Sequence, residues 1–263
     1  MKVLLVNGSP KANGNTARAL AEVAEQLNAE GIDTEVFQLG AKPIRDCIGC
    51  GQCGKLGGRC TFDDDVVNEL IAAAEQADGF VFGSPVYYAH PSGRILSALD
   101  RAFYAGGHAF AHKPGAAVAV ARRGGTSTTF DVLNKYFTIN QMPVVASTYW
   151  NNVFGRVPGD ADGDAEGLAT MRNIGKNMAW LLQCIEAGQA AGISAPEADR
   201  ERTNFIRYVQ RWSPRCSINV SEKPADEARC LERGGRWAVA RARRLKGRLP
   251  IRWLCSVEVT AVR

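Results

Sequence analysis

The sequence lacks the features that would send a chain to a membrane, a secretory route or a reaction run by protein side chains alone. No apolar run approaches the ~18 residues that a bilayer-spanning helix needs. The opening stretch, MKVLLVNGSP, breaks at Asn7, Gly8 and Pro10. It is too short for a signal-peptide core, which predicts a cytoplasmic protein. There is no GxGxxG dinucleotide fingerprint, no GK[ST] phosphate loop and no internal repeat. Histidine is reduced to three residues, and no catalytic triad or carboxylate pair stands out. The chain is therefore read for places that would hold bound groups.

The chain has 263 residues, 46% hydrophobic and 22% charged, enough for a packed core. Its formal charge of +5 is unevenly spread. Residues 1–213 carry 20 Lys+Arg against 22 Asp+Glu, and residues 214–263 carry 12 against 5. The body is nearly neutral and offers no nucleic-acid footprint. The basicity belongs to the last fifty residues, at Arg236, Arg241, Arg243, Arg244, Lys246, Arg248 and Arg252. That stretch shows no apolar periodicity, so it reads as an irregular, poorly ordered extension, 214–263, appended to a domain at 1–213.

Within the domain, apolar patterning alternates between strand and helix. Strands are expected at 2–6, 34–39, 79–83, 116–121 and 144–147. Helices are expected at 16–29, with Thr16 as N-cap, then at 66–77, 94–104, 130–137 and 165–191. Asp63, Asp64 and Asp65 suit the positive end of the second helix. Cys184, in the apolar stretch of the last helix, reads as a core thiol. Strand and helix alternating five times predict a doubly wound α/β domain with a five-stranded parallel sheet.

The loop after the first strand, GSPKANGNT, leads into a helix N-terminus, where backbone N–H groups favour an anion. Ser9, Asn15 and Thr16 add side-chain donors, Lys11 adds a charge, and Gly8 and Gly14 allow close backbone approach. Small hydroxyl residues around one phosphate suit a mononucleotide such as FMN; the competing reading is a Gly/Ser turn that only caps the helix. The loop after the third strand, GSPVYYAHPSG, falls at the switch point of a sheet of this type, where ligands bind. Ser84, Pro85, Val86, Tyr87 and Tyr88 would meet a flavin ring there. Gly124, Gly125 and Arg122 of the loop after the fourth strand would meet it from the same rim. His90 and Tyr88 are weak candidates for acid/base work, with an exposed or packing role the competing reading. His108 and His112 would line a substrate pocket or simply pack.

Cys47-x2-Cys50-x2-Cys53-x6-Cys60 is the most specific pattern in the chain. Four clustered thiols in a cytosolic chain read as metal ligands or redox groups. Three thiols at this spacing followed by a fourth favour a [4Fe-4S] cluster. A zinc site, which more often splits into two CxxC pairs, and metal-free thiols or disulfides remain as alternatives.

With these motifs placed, the chain resembles the iron–sulfur flavoprotein family, within the NAD(P)H-dependent FMN reductase and flavodoxin-like superfamily. GSPKANGNT, the cysteine motif followed by FDDD, and GSPVYYAHPSG carry the resemblance, over about residues 1–210. It implies FMN at the rim of a flavodoxin-like sheet and a cluster held by Cys47, Cys50, Cys53 and Cys60. It also implies homo-oligomers in which the cluster of one subunit approaches the flavin of another. NAD(P)H or ferredoxin would be the electron donor, and a small molecule the substrate. One branch of this architecture is the 2-amino-4-deoxychorismate dehydrogenase of enediyne antibiotic biosynthesis. It would imply a chorismate-derived amino acid dehydrogenated to an enolpyruvoyl anthranilate, although no motif selects that substrate. The alternatives are an electron-transfer iron–sulfur flavoprotein that accepts electrons from ferredoxin and a cluster-free NAD(P)H:flavin or quinone reductase. The extension after Pro214 departs from the family pattern.

Overall fold

The computed structural model describes residues 1–199 and 201, together with three strands at 227–231, 237–243 and 254–256. The chain separates into two units, Met1–Pro196 and Glu197–Arg263. In the second, the described residues form strands β7 (Glu227–Leu231), β8 (Trp237–Arg243) and β9 (Leu254–Ser256), paired antiparallel in that order. The expected boundary at 213 and most of the basic extension, including Arg236, Arg244, Lys246, Arg248 and Arg252, lie outside the described residues.

The first unit is a parallel sheet covered by helices on both faces. Its strands are β1 (Lys2–Asn7), β2 (Asp33–Gln38), β3 (Gly79–Tyr87), β5 (Gly115–Ala121) and β6 (Asn152–Phe154), in the order β2-β1-β3-β5-β6. A two-residue strand, β4 (His90–Pro91), turns back antiparallel onto β3. The helices are α1 (Asn15–Ala29), α2 (Val67–Glu75), α3 (Gly93–Gly106), α4 (Thr126–Ile139) and α5 (Ala165–Ala190). The run KVLLV has no polar alternation because β1 is central and covered on both faces. Leu4 and Val6 pack with Phe80, Phe82, Leu70, Leu99 and Phe137 on one side. Val3 and Leu5 pack with Val81, Val118, Leu20, Val23, Ile174 and Met178 on the other. The chain reverses direction of travel across the sheet between β1 and β3, which places a crevice beyond the carboxyl ends of those two strands.

Three expectations are corrected. The fifth strand is not at 144–147: Val144 makes only an isolated bridge to Gly115. The pairing with β5 is made later, by Asn152–Phe154 against Ala119–Ala121. Between them the chain is held in a turn, where Ser147 Oγ donates to Asn151 Oδ1 at 2.7 Å and Asn151 Nδ2 to the Ala117 carbonyl at 2.9 Å. The second correction is at α1, whose N-cap is Gly14 rather than Thr16; Thr16 is buried inside the first turn. The third is Cys184, which is exposed. The buried stripe of α5 runs through Met171, Ile174, Met178 and Leu182, and a residue two places beyond Leu182 points to the opposite side.

Candidate functional site

Three of the helices that start on the carboxyl rim, α1, α2 and α4, begin without a side-chain bond from the N-cap residue, and α2 carries Glu69 in its first turn. At α1 the N-cap is Gly14, with no side-chain bond to the first turn and no acidic residue there. At α4 the N-cap is Gly125, again with neither. By contrast α3 is capped by Ser92 and α5 by Asp164. Free N–H groups at a helix start, with no carboxylate competing, are an anion site. The two open starts belong to loops that the sequence assigns to a flavin phosphate and ring.

The first loop is shaped from below. Ser9 N–H donates to Asn7 Oδ1 at 3.0 Å, and Lys11 N–H donates to Ser9 Oγ at 3.2 Å. Gln38 Nε2 donates to the Ser9 carbonyl at 2.7 Å, and Asn7 Nδ2 to Gln38 Oε1 at 2.6 Å. Asn7 and Gln38, at the ends of neighbouring strands, were not singled out from sequence; their signal is a polar residue closing an apolar strand at the switch point. Asn15 Nδ2 donates to the Val157 carbonyl at 2.9 Å, so its side chain serves the loop after β6. Thr16 is buried and Lys11 exposed.

The other two loops touch each other. Tyr88 and Ala89 both have positive φ, 51° and 56°, in a two-residue hairpin between β3 and β4. A Cβ on Gly125 would lie 2.5 Å from Ala89 Cα and 2.8 Å from a Val86 methyl. Ser84 is wholly buried, and its hydroxyl accepts the Ser92 N–H at 3.0 Å, so it braces the start of α3. Pro85 and Val86 end the covered part of β3, while Tyr87, Tyr88, His90, Arg122 and Gly124 are exposed along the rim. The structure thus brings the first, third and fourth loops to one edge. His108 lies elsewhere, 3.6 Å from Glu75 and against Gly58; His112 takes a positive φ of 63° in the turn before β5. A second pocket opens where α4 and α5 begin, lined by Thr126, Ser127, Tyr149, Trp150, Phe154 and Asp164; no sequence pattern pointed to it.

The cysteine loop forms its own site. Cys47, Cys50, Cys53 and Cys60 all line a single pocket, with Ile48, Phe62, Arg101 and Tyr104. Gly49, Gly51, Gly57 and Gly58 take positive φ and wrap the chain around it. Among the described residues no three His, Cys, Asp or Glu side chains are drawn together tightly enough for a single metal ion. Burial pushes the Cys53 thiol up, and the neighbouring Cys60, Cys50 and Cys47 push it further in the same direction. Four cysteines lining one pocket are the donor set that the spacing predicts for a cluster. Arg101, the largest wholly buried side chain, reaches this pocket from α3. Burial works against its charge, but hydrogen bonds to Asp65 and Cys60 outweigh that and raise its pKa.

A doubly wound α/β domain with this strand order defines a flavodoxin-like protein. The profile of the NADPH-dependent FMN reductase family matches residues 1–155. An iron–sulfur flavoprotein of Methanocaldococcus jannaschii is 37% identical over 194 residues, covering 71% of this chain and 100% of the relative. One from Archaeoglobus fulgidus is 28% identical over 70% of this chain and 81% of its own. An NADPH azoreductase from Bacillus sp. is 30% identical over 51% of this chain and 65% of its own. Among solved structures, RosB aligns with a TM-score of 0.54 and 14% identity, covering 90% of this chain and 98% of its own, which shows the fold. The chain belongs to the iron–sulfur flavoprotein and NADPH-dependent FMN reductase family and is an FMN-dependent oxidoreductase. Among the described residues no helix is long and apolar enough to cross a membrane.

Proposed function

We propose that FMN lies along the rim, with its phosphate in the Gly8–Thr16 loop and its ring between the Ser84–Tyr88 and Arg122–Gly125 segments. Cys47, Cys50, Cys53 and Cys60 hold a [4Fe-4S] cluster. The enzyme then couples two-electron exchange with NAD(P)H or a small-molecule substrate to one-electron exchange through the cluster. The observation that carries this reading is the gathering of all four thiols around one pocket in a chain whose flavin rim has two uncapped helix starts with no acidic residue in the first turn.

When bound, FMN supplies a hydride-accepting ring and a cluster supplies one-electron storage. The chain's own part is placement and electrostatics. The first-turn N–H groups of α1 bind the phosphate, and Lys11 adds a positive charge beside it. The N–H groups opening α4 and the exposed Arg122 face charge that develops on the ring edge. Tyr87 and Tyr88 stand exposed at the ring's expected position and suit stacking with the flavin or with a second protomer of the homo-oligomer.

Anaerobic purification with flavin, iron and sulfide counts tests the reading. One FMN with about four irons and four sulfides per chain is expected. Flavin without iron would leave a cluster-free FMN reductase, and about one zinc per chain would assign the thiols to zinc. Reduction by NAD(P)H in the steady state supports an enzyme acting on small molecules. Reduction by ferredoxin alone would make the protein an electron carrier instead.

A further inference from the structure

Arg101 is 1% exposed on α3, among Ala98, Leu99 and Ala102, where a guanidinium is tolerated only if its donors are used. All three nitrogens donate, in four hydrogen bonds, and every acceptor lies in the segment that carries the cysteines. Nε donates to Cys60 Sγ at 3.2 Å. One terminal nitrogen donates to the Arg45 carbonyl at 3.2 Å and to the Asp65 carboxylate, and the other to the Phe62 carbonyl at 3.2 Å. The Phe62 ring lies 5.3 Å from the guanidinium carbon. Asp65 is held in turn by the N–H groups of Arg45 and Val67, at 3.1 and 3.2 Å. Asn68 clamps the Cys60 backbone, accepting its N–H at 2.8 Å and donating to its carbonyl at 3.1 Å. Among the described residues, Cys60 is the one cysteine of the four whose sulfur receives a side-chain hydrogen bond.

We propose that Arg101 is a positioning residue that fixes Cys60 as the fourth cluster ligand and raises the cluster's reduction potential through its Nε–H···Sγ bond. The proposal rests on the cluster reading above. When the cluster takes one electron, its charge falls by one unit and no bond is made or broken. A donor to a ligating sulfur stabilises the more negative state more than the less negative one. Arg101 itself is buried, so water does not compete for its side of the bond. The ligand comes from an irregular loop, and the donor from a helix packed on the sheet.

The test is an anaerobic redox titration of the holoenzyme, with the cluster followed by electron paramagnetic resonance and the FMN midpoint in the same sample as internal reference. Arg101→Met combined with Asp65→Asn removes the pair together and leaves no unpaired carboxylate. This variant is expected to shift the cluster midpoint to more negative potential while the FMN midpoint stays put. Arg101→Lys keeps a charge without the Nε–H, and a smaller shift in the same direction is expected. A fully iron-loaded double variant with the wild-type midpoint overturns the proposal. If the double variant does not fold, the lysine variant decides: full iron content with an unmoved midpoint and unmoved Fe–S stretching frequencies overturns it. Absence of iron and sulfide from the wild-type protein would overturn the cluster reading and this proposal with it. A loaded wild-type protein with insensitive variants overturns this proposal alone.

Discussion

The Ser92 hydroxyl donates a 2.9 Å hydrogen bond to the Gly8 carbonyl, tying the start of α3 to the loop that follows β1. The same oxygen accepts the Ile95 N–H at 3.3 Å and so caps the helix. From that cap α3 runs about 13 Å to Arg101, whose donors all end on the cysteine-bearing segment. One helix therefore registers the Gly8–Thr16 loop against the thiol pocket.

Ser92→Ala removes the cap and the tie together. A stability loss of about 0.5–2 kcal/mol is expected from the cap, together with weaker FMN binding because the Gly8 carbonyl is released. Thermal unfolding of the apo-protein and flavin-fluorescence titration check the two effects. Lower stability with wild-type FMN affinity would show that the tie does not shape the loop.

Gly14→Asp separates stability from binding. The backbone there is extended, with φ −99°, and an added Cβ meets nothing closer than Lys11 Cβ at 3.4 Å. An aspartate cap with favourable charge at the helix start is expected to stabilise the apo-protein by about 0.3–1 kcal/mol. The same carboxylate repels a phosphate, and FMN affinity should fall by at least about tenfold. A variant that is more stable yet binds FMN normally would place the phosphate elsewhere.

Gly125→Ala tests the contact between the two ring loops. Its φ of +91° is one that side chains rarely adopt, and its Cβ would fall 2.5 Å from Ala89 Cα. A loss of about 1–3 kcal/mol is expected, with FMN retention reduced because the Tyr88–Ala89 hairpin must move. Gly124→Ala, where an added Cβ meets nothing within 4 Å, is the matched control for stability and should unfold near wild type.

The parts legible in the sequence are those written in local patterns. The apolar run at Lys2–Val6, the Gly/Ser loop before α1 and the cysteine spacing each report one physical requirement over a few residues. The fifth strand was missed because its apolar segment, Val144–Val145, is not the segment that pairs. The pairing falls to Asn152–Phe154, whose polar first residue does not read as a strand. Arg101 was missed because a lone arginine in RILSALDRAF resembles the wet side of an amphipathic helix. Its spacing was the available signal: it lies three residues from Ala98 and six from Ile95, on the margin of the buried stripe. Its partners come from a loop more than thirty residues earlier, and no local pattern predicts such a pairing.

Glu22 ties α1 to α5 and gives the fold an acid-sensitive joint. It is buried between Arg18, 2.7 Å away on the same helix, and Arg172 on α5. Burial pushes its carboxyl up, but hydrogen bonds from Arg172 and Arg18 prevail and hold it below the usual carboxylate range. A carboxyl that binds its proton less readily when folded stabilises the fold above its unfolded pKa, ~4.3. That contribution is lost as pH falls through the lower folded value. Glu22→Gln is therefore expected to be less stable than wild type at pH ~7, with the gap narrowing below pH ~4 as the wild-type carboxylate protonates. Denaturant midpoints of both proteins across this range measure it. A gap that stays constant to the lowest pH would mean that the Arg18–Glu22–Arg172 contacts act through packing and not through charge.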